Sequence, residues 1–392
     1  MPDANILYCG DNLDVLRKIR DNSVDLIYLD PPFNTKKDYV VVVRDRERRR
    51  RAVEIAGFDD RWKWDGTCED LRTEFRRADY KPELRRALDA FHLFLGDSGM
   101  MAYLVTLAVR LWELRRILKP TGTLYLHCDP HASHYLKILL DVIFGSERFL
   151  SEVIWKRTYA QNRVRKWGPI HDVILVYTKG RHYTWNPVFC PYDEKYLKGE
   201  YRHKTDDGRA YRITQLTHAG LVKTGSSSEP WRGFDPSTKG RHWAVPRRIG
   251  QHQILPHSLP VQEALDRLDE MGRIHWPSNG GWPSFKVYLD EMEGRPIQSI
   301  IVDIPPIVST AKERTGYPTQ KPIALLERII KASSNQGDIV LDPFCGAGTT
   351  VAAAEKLGRR WIGIEKNPVA VDITEKRLAK EFPQAEYKTI RV

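Results

Sequence analysis

Short runs of branched apolar residues, each cut off by a carboxylate or a glycine, alternate with amphipathic stretches through residues 1–179. Residues 6–9 read as a strand ending at Gly10-Asp11, and 13–19 as a helix with Leu13, Val15, Leu16 and Ile19 to bury. Residues 24–29 are apolar almost throughout, as central parallel strands are, and stop at Asp30-Pro31-Pro32-Phe33. Prolines cannot donate to a ladder, so the sheet ends there. The pattern then lapses: 34–65 reads as a long insertion, with brief pairing at 40–43, an arginine run over 44–51 and the pair Trp62 and Trp64. Periodicity returns with a helix over 98–118 capped by Ser98, a strand at 123–127 and a helix at 134–144 stopped by Gly145. Strands at 152–155 and 173–178 are expected to close the sheet in antiparallel fashion.

From 180 to 306 the helical period fades, except weakly at 261–271, and Gly, Pro, Trp and Tyr become frequent among basic residues. Regular pattern resumes at 313–322, where Thr319 is placed as a helix N-cap, Pro322 in the first turn, and Leu325, Leu326, Ile329 and Ile330 on the buried stripe. A strand at 340–342 enters a small-residue turn, Thr349 opens a helix, 361–364 forms a strand ending at Glu365, and a terminal helix follows. The whole predicts an α/β fold, a doubly wound and mostly parallel sheet, in three segments: 1–179, 180–306 and 307–392.

Composition narrows the class. A chain of 392 residues is long for one core. Its net charge of +11 favours a polyanionic partner. The five cysteines form no CxxC pair, which argues against a disulfide framework and fits a reducing cytoplasm. No apolar run approaches 18 residues, so no membrane partner is expected. His127, Cys128, Asp129, His131 and His134 lack standard zinc spacing; hydrogen-bonding or capping roles are expected, and no metal.

The chemistry gathers at the strand ends. Ligands of doubly wound sheets bind there, so Asp11, Asp30, Asp342 and Glu365 can converge across hundreds of residues. Gly346 and Gly348 allow close backbone approach before the helix at Thr349. Glu365 can accept the two hydroxyls of a ribose, and Asp11 an exocyclic adenine amine. The turn lacks the third glycine of GxGxxG, and no GxxxxGK[ST] occurs, which disfavours phosphates. Asp342 would repel phosphates yet pair with an ammonium. S-adenosylmethionine fits these demands. Asp30 and the Pro31 carbonyl can accept the two hydrogens of a base amine, and Phe33 can stack on the base. Such a base must first leave its duplex. Arg48, Arg50, Trp64, Arg163, Arg165, Lys166, Arg232 and Arg241 are the candidate DNA contacts.

With these residues in order, the chain resembles the β class of amino DNA methyltransferases, closest to adenine-N6 members. Their DPPY/DPPF motif matches Asp30-Pro31-Pro32-Phe33, with Phe for Tyr as a departure that keeps the ring and loses the hydroxyl. Their FxGxG motif matches Phe344-Cys345-Gly346-Ala347-Gly348, and their acidic residue after the next strand matches Glu365. Their proline-containing segment matches residues 317–322, where Thr319 and Lys321 resemble residues near the methionine carboxylate. The resemblance implies a Rossmann-like methyltransferase sheet, circularly permuted, with 180–306 inserted as a target-recognition domain. It implies N6-adenine methylation of duplex DNA from S-adenosylmethionine; N4-cytosine methylation and a non-catalytic DNA-binding scaffold are the alternatives. A homodimer and a restriction endonuclease of the same system are the partners it allows.

Overall fold

The computed structural model describes residues 5–32, 38–44, 52–59, 62–77, 80–159, 165, 167–222 and 225–392. The chain divides into two compact units, one formed by Met1–Val188 with Gln298–Val392 and the other by Phe189–Ile297.

In the first unit nine strands form one sheet: β1 (Ile6–Cys9), β2 (Val24–Leu29), β3 (Leu118–Cys128), β4 (Phe149–Lys156), β5 (His171–Thr178), β6 (Ile300–Ile301), β7 (Ile339–Asp342), β8 (Arg360–Glu365) and β9 (Lys388–Arg391). Their order is β6-β4-β5-β3-β2-β7-β8-β1-β9. Only β5 runs against the rest, pairing antiparallel with both β3 and β4. The two ends of the chain therefore meet in the middle of the sheet: β7 pairs parallel with β2 on one side and β8 on the other. β1 and β2, consecutive in sequence, lie apart with β7 and β8 between them.

Alternation along the strands feeds two cores. Ile27 and Leu29 join the core built with helices α1 (Asn12–Leu16), α2 (Gly66–Arg77), α3 (Pro82–Leu95), α4 (Gly99–Ile117) and α5 (Pro130–Phe144). Leu26 and Tyr28 face the opposite core, built with helices Ile323–Ser333, Thr349–Lys356 and Pro368–Glu381. Burial on both faces explains the nearly unbroken apolar text of β2.

Several expectations need correcting. Helices α2 and α3 were not anticipated: α2 buries little beyond Cys68 and Phe75, too thin a stripe to stand out among its charges. Strand β9 was also missed, because it is a polar edge strand beside β1 with three exposed positions. Thr319 caps nothing. The helix begins at Ile323 behind an extended Pro322, and a residue preceding proline resists the helical conformation, so the helix cannot start earlier. Within the insertion, Asp38–Arg44 and Ala52–Asp59 pair as an antiparallel hairpin, longer than the brief pairing expected at 40–43.

The second unit carries a four-stranded sheet of His203–Lys204, Ala210–Gln215, Ser284–Tyr288 and Ile274–His275. Helix Val261–Glu270 packs its Ala264, Leu265 and Leu268 among Trp231, Trp243 and Phe285. The unit's edges fall inside the 180–306 span expected from composition.

Candidate active site

Four neighbouring strands, β2, β7, β8 and β1, deliver their carboxyl ends to one cleft of about 1010 Å³. Asp30 with Pro31 and Pro32 follows β2, Asp342 through Gly346 follows β7, Glu365 ends β8, and Asp11 follows β1; all line that cleft.

The turn after β7 is held by the carboxylates beside it. Asp342 is 3% exposed and accepts from the Phe344 amide at 3.0 Å and the Thr350 hydroxyl at 2.5 Å. Burial pushes its carboxyl up to about 7, the Thr350 and Phe344 hydrogen bonds opposing and the nearby Asp30 and Glu365 charges adding to the rise. Glu365 accepts from the Gly346 amide at 2.9 Å and the Asn367 amide at 2.8 Å. Burial raises its carboxyl too, against the pull of those amides. Gly346 and Gly348 take φ of 51° and 69°, the left-handed region that glycine enters without strain.

The N-terminal side is braced against this turn. Asn12 donates to the Pro343 carbonyl at 2.8 Å and accepts from buried Arg110, which also donates to Asp11 at 2.9 Å. Asp11 caps α1 through the Leu13 amide. Its carboxyl, raised by burial, is brought below its ordinary value by Arg110 first and Lys366 further out. Across the cleft, the Lys321 ammonium donates to Asp30 Oδ2. Thr319, two residues earlier, sits at φ 63°, an uncommon conformation for a β-branched residue.

Sequence reading missed a buried polar chain under the Asp30 turn. Tyr28 Oη lies 2.8 Å from His127 Nδ1, and His127 Nε2 lies 3.1 Å from Asp172. Burial raises the Asp172 carboxyl, but His127, Lys321 and Arg157 bring it net below its ordinary value, so it is an ionised acceptor. The imidazole thus links the Tyr28 hydroxyl on Nδ1 to the Asp172 carboxylate on Nε2. The apolar run of residues 24–29 conceals a tyrosine whose partner is 99 residues away. Tyr28→Phe deletes the buried Tyr28–His127 hydrogen bond and is expected to cost about 1–3 kcal/mol, read as a lowered urea midpoint with unchanged slope.

Trp62 donates its indole N–H to the Pro32 carbonyl at 3.2 Å and packs on Tyr103 with centroids 5.5 Å apart. Of the candidate DNA contacts, Trp64 is half-buried against His92, 5.3 Å between centroids. Arg165 is exposed. Arg232 pairs with Asp266 and Asp269, and Arg241 donates to Thr217 and Gln215, so both guanidiniums are engaged inside the second unit. Phe33, Arg48, Arg50, Arg163 and Lys166 lie outside the described residues. His127 and Asp129 take hydrogen-bonding and capping roles, Asp129 accepting from the Ala132 amide. Among the described residues no cluster of three metal-ligating side chains occurs, and no helix is long and apolar enough to cross a membrane.

Comparison with known proteins adds to this geometry. The family profile described as DNA methylase, for N6 and N4 enzymes, matches residues 24–376. Type II methyltransferase M.EcaI of Enterobacter cloacae is 36% identical over 291 residues, 71% of this chain and 58% of that protein. The Type III restriction-modification enzyme StyLTI Mod subunit of Salmonella typhimurium is 28% identical over 90% of this chain and 50% of its own length. DNA adenine methyltransferase YhdJ of Escherichia coli is 25% identical, covering 96% of this chain and 83% of its own. The chain thus spans 58% and 50% of the first two relatives.

Proposed function

The chain belongs to the N6/N4 DNA methylase family, and we propose that its cleft transfers a methyl group from S-adenosylmethionine to N6 of an adenine flipped out of duplex DNA. One observation carries this reading: the Asp30-Pro31-Pro32 turn and the Asp342–Ala347 turn follow adjacent parallel strands and line the same cleft.

The donor set fits that cofactor. Glu365 and Asp11 offer carboxylates to hydroxyls and an amine, and the buried Asp342 offers one to an ammonium; the crowding of acids around the turn disfavours phosphates. Held there, S-adenosylmethionine supplies a methyl group already activated by its sulfonium. The residues of the chain handle the acceptor. An exocyclic base amine is a weak nucleophile, its lone pair delocalised into the ring. Asp30 and the Pro31 carbonyl accept its hydrogens and hold the nitrogen toward the methyl donor, and alignment of that kind accounts for much of a transfer rate. Trp62 and the prolines keep the turn stiff. The proton leaves the nitrogen with or after the transfer, so no dedicated base is required. The second unit, with its clustered tryptophans and basic residues, is assigned target recognition. Expected partners are duplex DNA and, by analogy with the restriction-modification names of its relatives, a cognate endonuclease. Recognition of this kind is compatible with a homodimer.

Labelled methyl donor on unmethylated phage DNA, followed by nucleoside mass spectrometry, tests the reading. N6-methyladenine supports it, N4-methylcytosine replaces it with the cytosine activity, and DNA binding without any methylated base favours a non-catalytic scaffold.

Asp342 makes cofactor binding depend on pH. Its carboxyl titrates near 7 in the cofactor-free fold, above the 3.8 of an exposed aspartate. The native state therefore holds a proton that the unfolded chain lacks between these values, and stability falls as pH rises through that window. Pairing with an ammonium requires the ionised form. The dissociation constant for S-adenosylmethionine is expected to rise by up to about tenfold per unit as pH falls below 7, and Asp342→Asn should flatten this dependence in calorimetric titrations from pH 6 to 8.

A further inference from the structure

The contact between Lys321 and Asp30 changes what Lys321 is for. Its resemblance to family residues near the methionine carboxylate makes it a cofactor contact, yet its ammonium donates to Asp30 Oδ2 and also approaches the Thr319 carbonyl at 3.5 Å. We propose that Lys321 is the positioning residue of Asp30, taking Oδ2 and leaving Oδ1 as the acceptor presented to the target amine. This inference rests on the methyltransferase reading of the cleft.

The segment is built to deliver the ammonium there. Gln320 accepts from both the amide and the hydroxyl of Thr315 at 2.8 Å, and its own amide donates to the Glu313 carbonyl at 2.8 Å. Glu313 in turn accepts from the Ile323 amide at 3.0 Å, tying the far side of Lys321 to the start of the helix. Between these ties Thr319 adopts φ 63° and Pro322 is locked extended, so the chain bends sharply on either side of one lysine. A β-branched residue in that region is a cost that persists only where its surroundings over-determine it. Lys321 is itself buried, at 9% exposure. A buried ammonium needs a countercharge, and the carboxylate it touches is the one at the end of β2.

The electrostatics call for the same pairing. Asp30, Asp342 and Glu365 stand close enough that the first and last raise the carboxyl of the second. A carboxylate left loose among others would turn toward whichever donor offered. Fixed through one oxygen by a charge-assisted bond, Asp30 can rotate little and keeps one direction for the incoming amine.

Two roles for Lys321 predict different kinetics, and the test uses the full chain with S-adenosylmethionine and unmethylated phage DNA. Lys321→Met should lower kcat on the order of 100-fold, the loss expected of a misplaced reacting group, while cofactor affinity measured by calorimetry changes less than about threefold. Lys321→Arg, which keeps the charge, should restore part of kcat. Removing the carboxylate, as in decarboxylated S-adenosylmethionine, should cost wild type and Lys321→Met the same factor in affinity. A cofactor affinity that collapses in Lys321→Met, and no longer responds to removal of the carboxylate, overturns the proposal and assigns Lys321 to the cofactor. Should wild type bind the cofactor but methylate no DNA, the reading of the cleft fails separately. Crystal structures then decide Lys321: Asp30 turned away in Lys321→Met supports the positioning role, and Asp30 unmoved overturns it.

Discussion

Asp30→Asn is expected to cut methyl transfer at least about 10³-fold while leaving the cofactor site intact. The carboxamide has one oxygen and one NH2 where the carboxylate has two acceptors. The Lys321 ammonium, which donates to Oδ2, claims the oxygen. The NH2 then faces the target amine, donor against donor. Removing one hydrogen-bonding group from a transition-state site costs about 10²–10³ in kcat, and here the loss is joined by repulsion, so a fall of at least about 10³-fold is expected. Asn is preferred to Ala because a methyl takes away the carboxylate that the buried ammonium touches, and breaking a buried ion pair costs about 3–5 kcal/mol, which confuses catalysis with folding. Single-turnover transfer of labelled methyl to duplex DNA reads the rate, and calorimetry reads the cofactor. A variant that keeps a tenth of the rate would remove Asp30 from the chemistry. A variant that loses cofactor binding as well would instead assign it to the other half of the cleft.

Lys321 and Tyr28 show where the sequence stops being informative. The strand ends could be read because each announces itself locally: an apolar run, then Asp30 before two prolines, or Asp342 before two glycines. Their convergence followed from the geometry of parallel sheets, and the pairing of β7 with β2 realises it. Nothing local marks the partners. Lys321 meets Asp30 across 291 residues and Asn12 meets Pro343 across 331, separations over which only the folded sheet order decides contact. The same holds for Tyr28, which looks like one more apolar position of a central strand until His127 supplies its acceptor.

The charged residues were legible only in part. Arg232 and Arg241 stand in basic-aromatic text and read as candidate DNA contacts, and in the fold their guanidiniums bond to carboxylates and amides of their own unit. A net charge of +11 describes a surface and cannot tell which arginine is spent internally. Helix α3 was legible in principle. Leu84, Leu88 and Phe91 are buried at i, i+4 and i+7, a stripe obscured by the arginines beside it.

The turn after β7 should tolerate substitution least. Gly348 sits at φ 69°, and a Cβ built there falls 2.4 Å from Thr374 Cγ2 and 2.8 Å from its hydroxyl oxygen. Thr374 has no room to retreat: it is fully buried, and its hydroxyl donates to the Gly346 carbonyl at 3.1 Å. For Gly348→Ala the left-handed conformation costs about 1–2 kcal/mol, and forcing an extra methyl into a packed site adds about 1–3 kcal/mol. A destabilisation of about 2–5 kcal/mol follows, measured as a shift of the urea midpoint at constant slope. Cofactor affinity should fall with it. Moving Thr374 pulls on the Gly346 carbonyl, and the Gly346 amide is the donor that orients Glu365. The double variant Gly348→Ala with Thr374→Ser removes the nearest clashing methyl and keeps the hydroxyl bond. It should recover some of the overpacking part of the loss, since the hydroxyl oxygen stays 2.8 Å from the added Cβ, and none of the backbone part. Full recovery would show that the left-handed turn carries no strain for alanine, and no recovery would show that Thr374 is not what Gly348 makes room for.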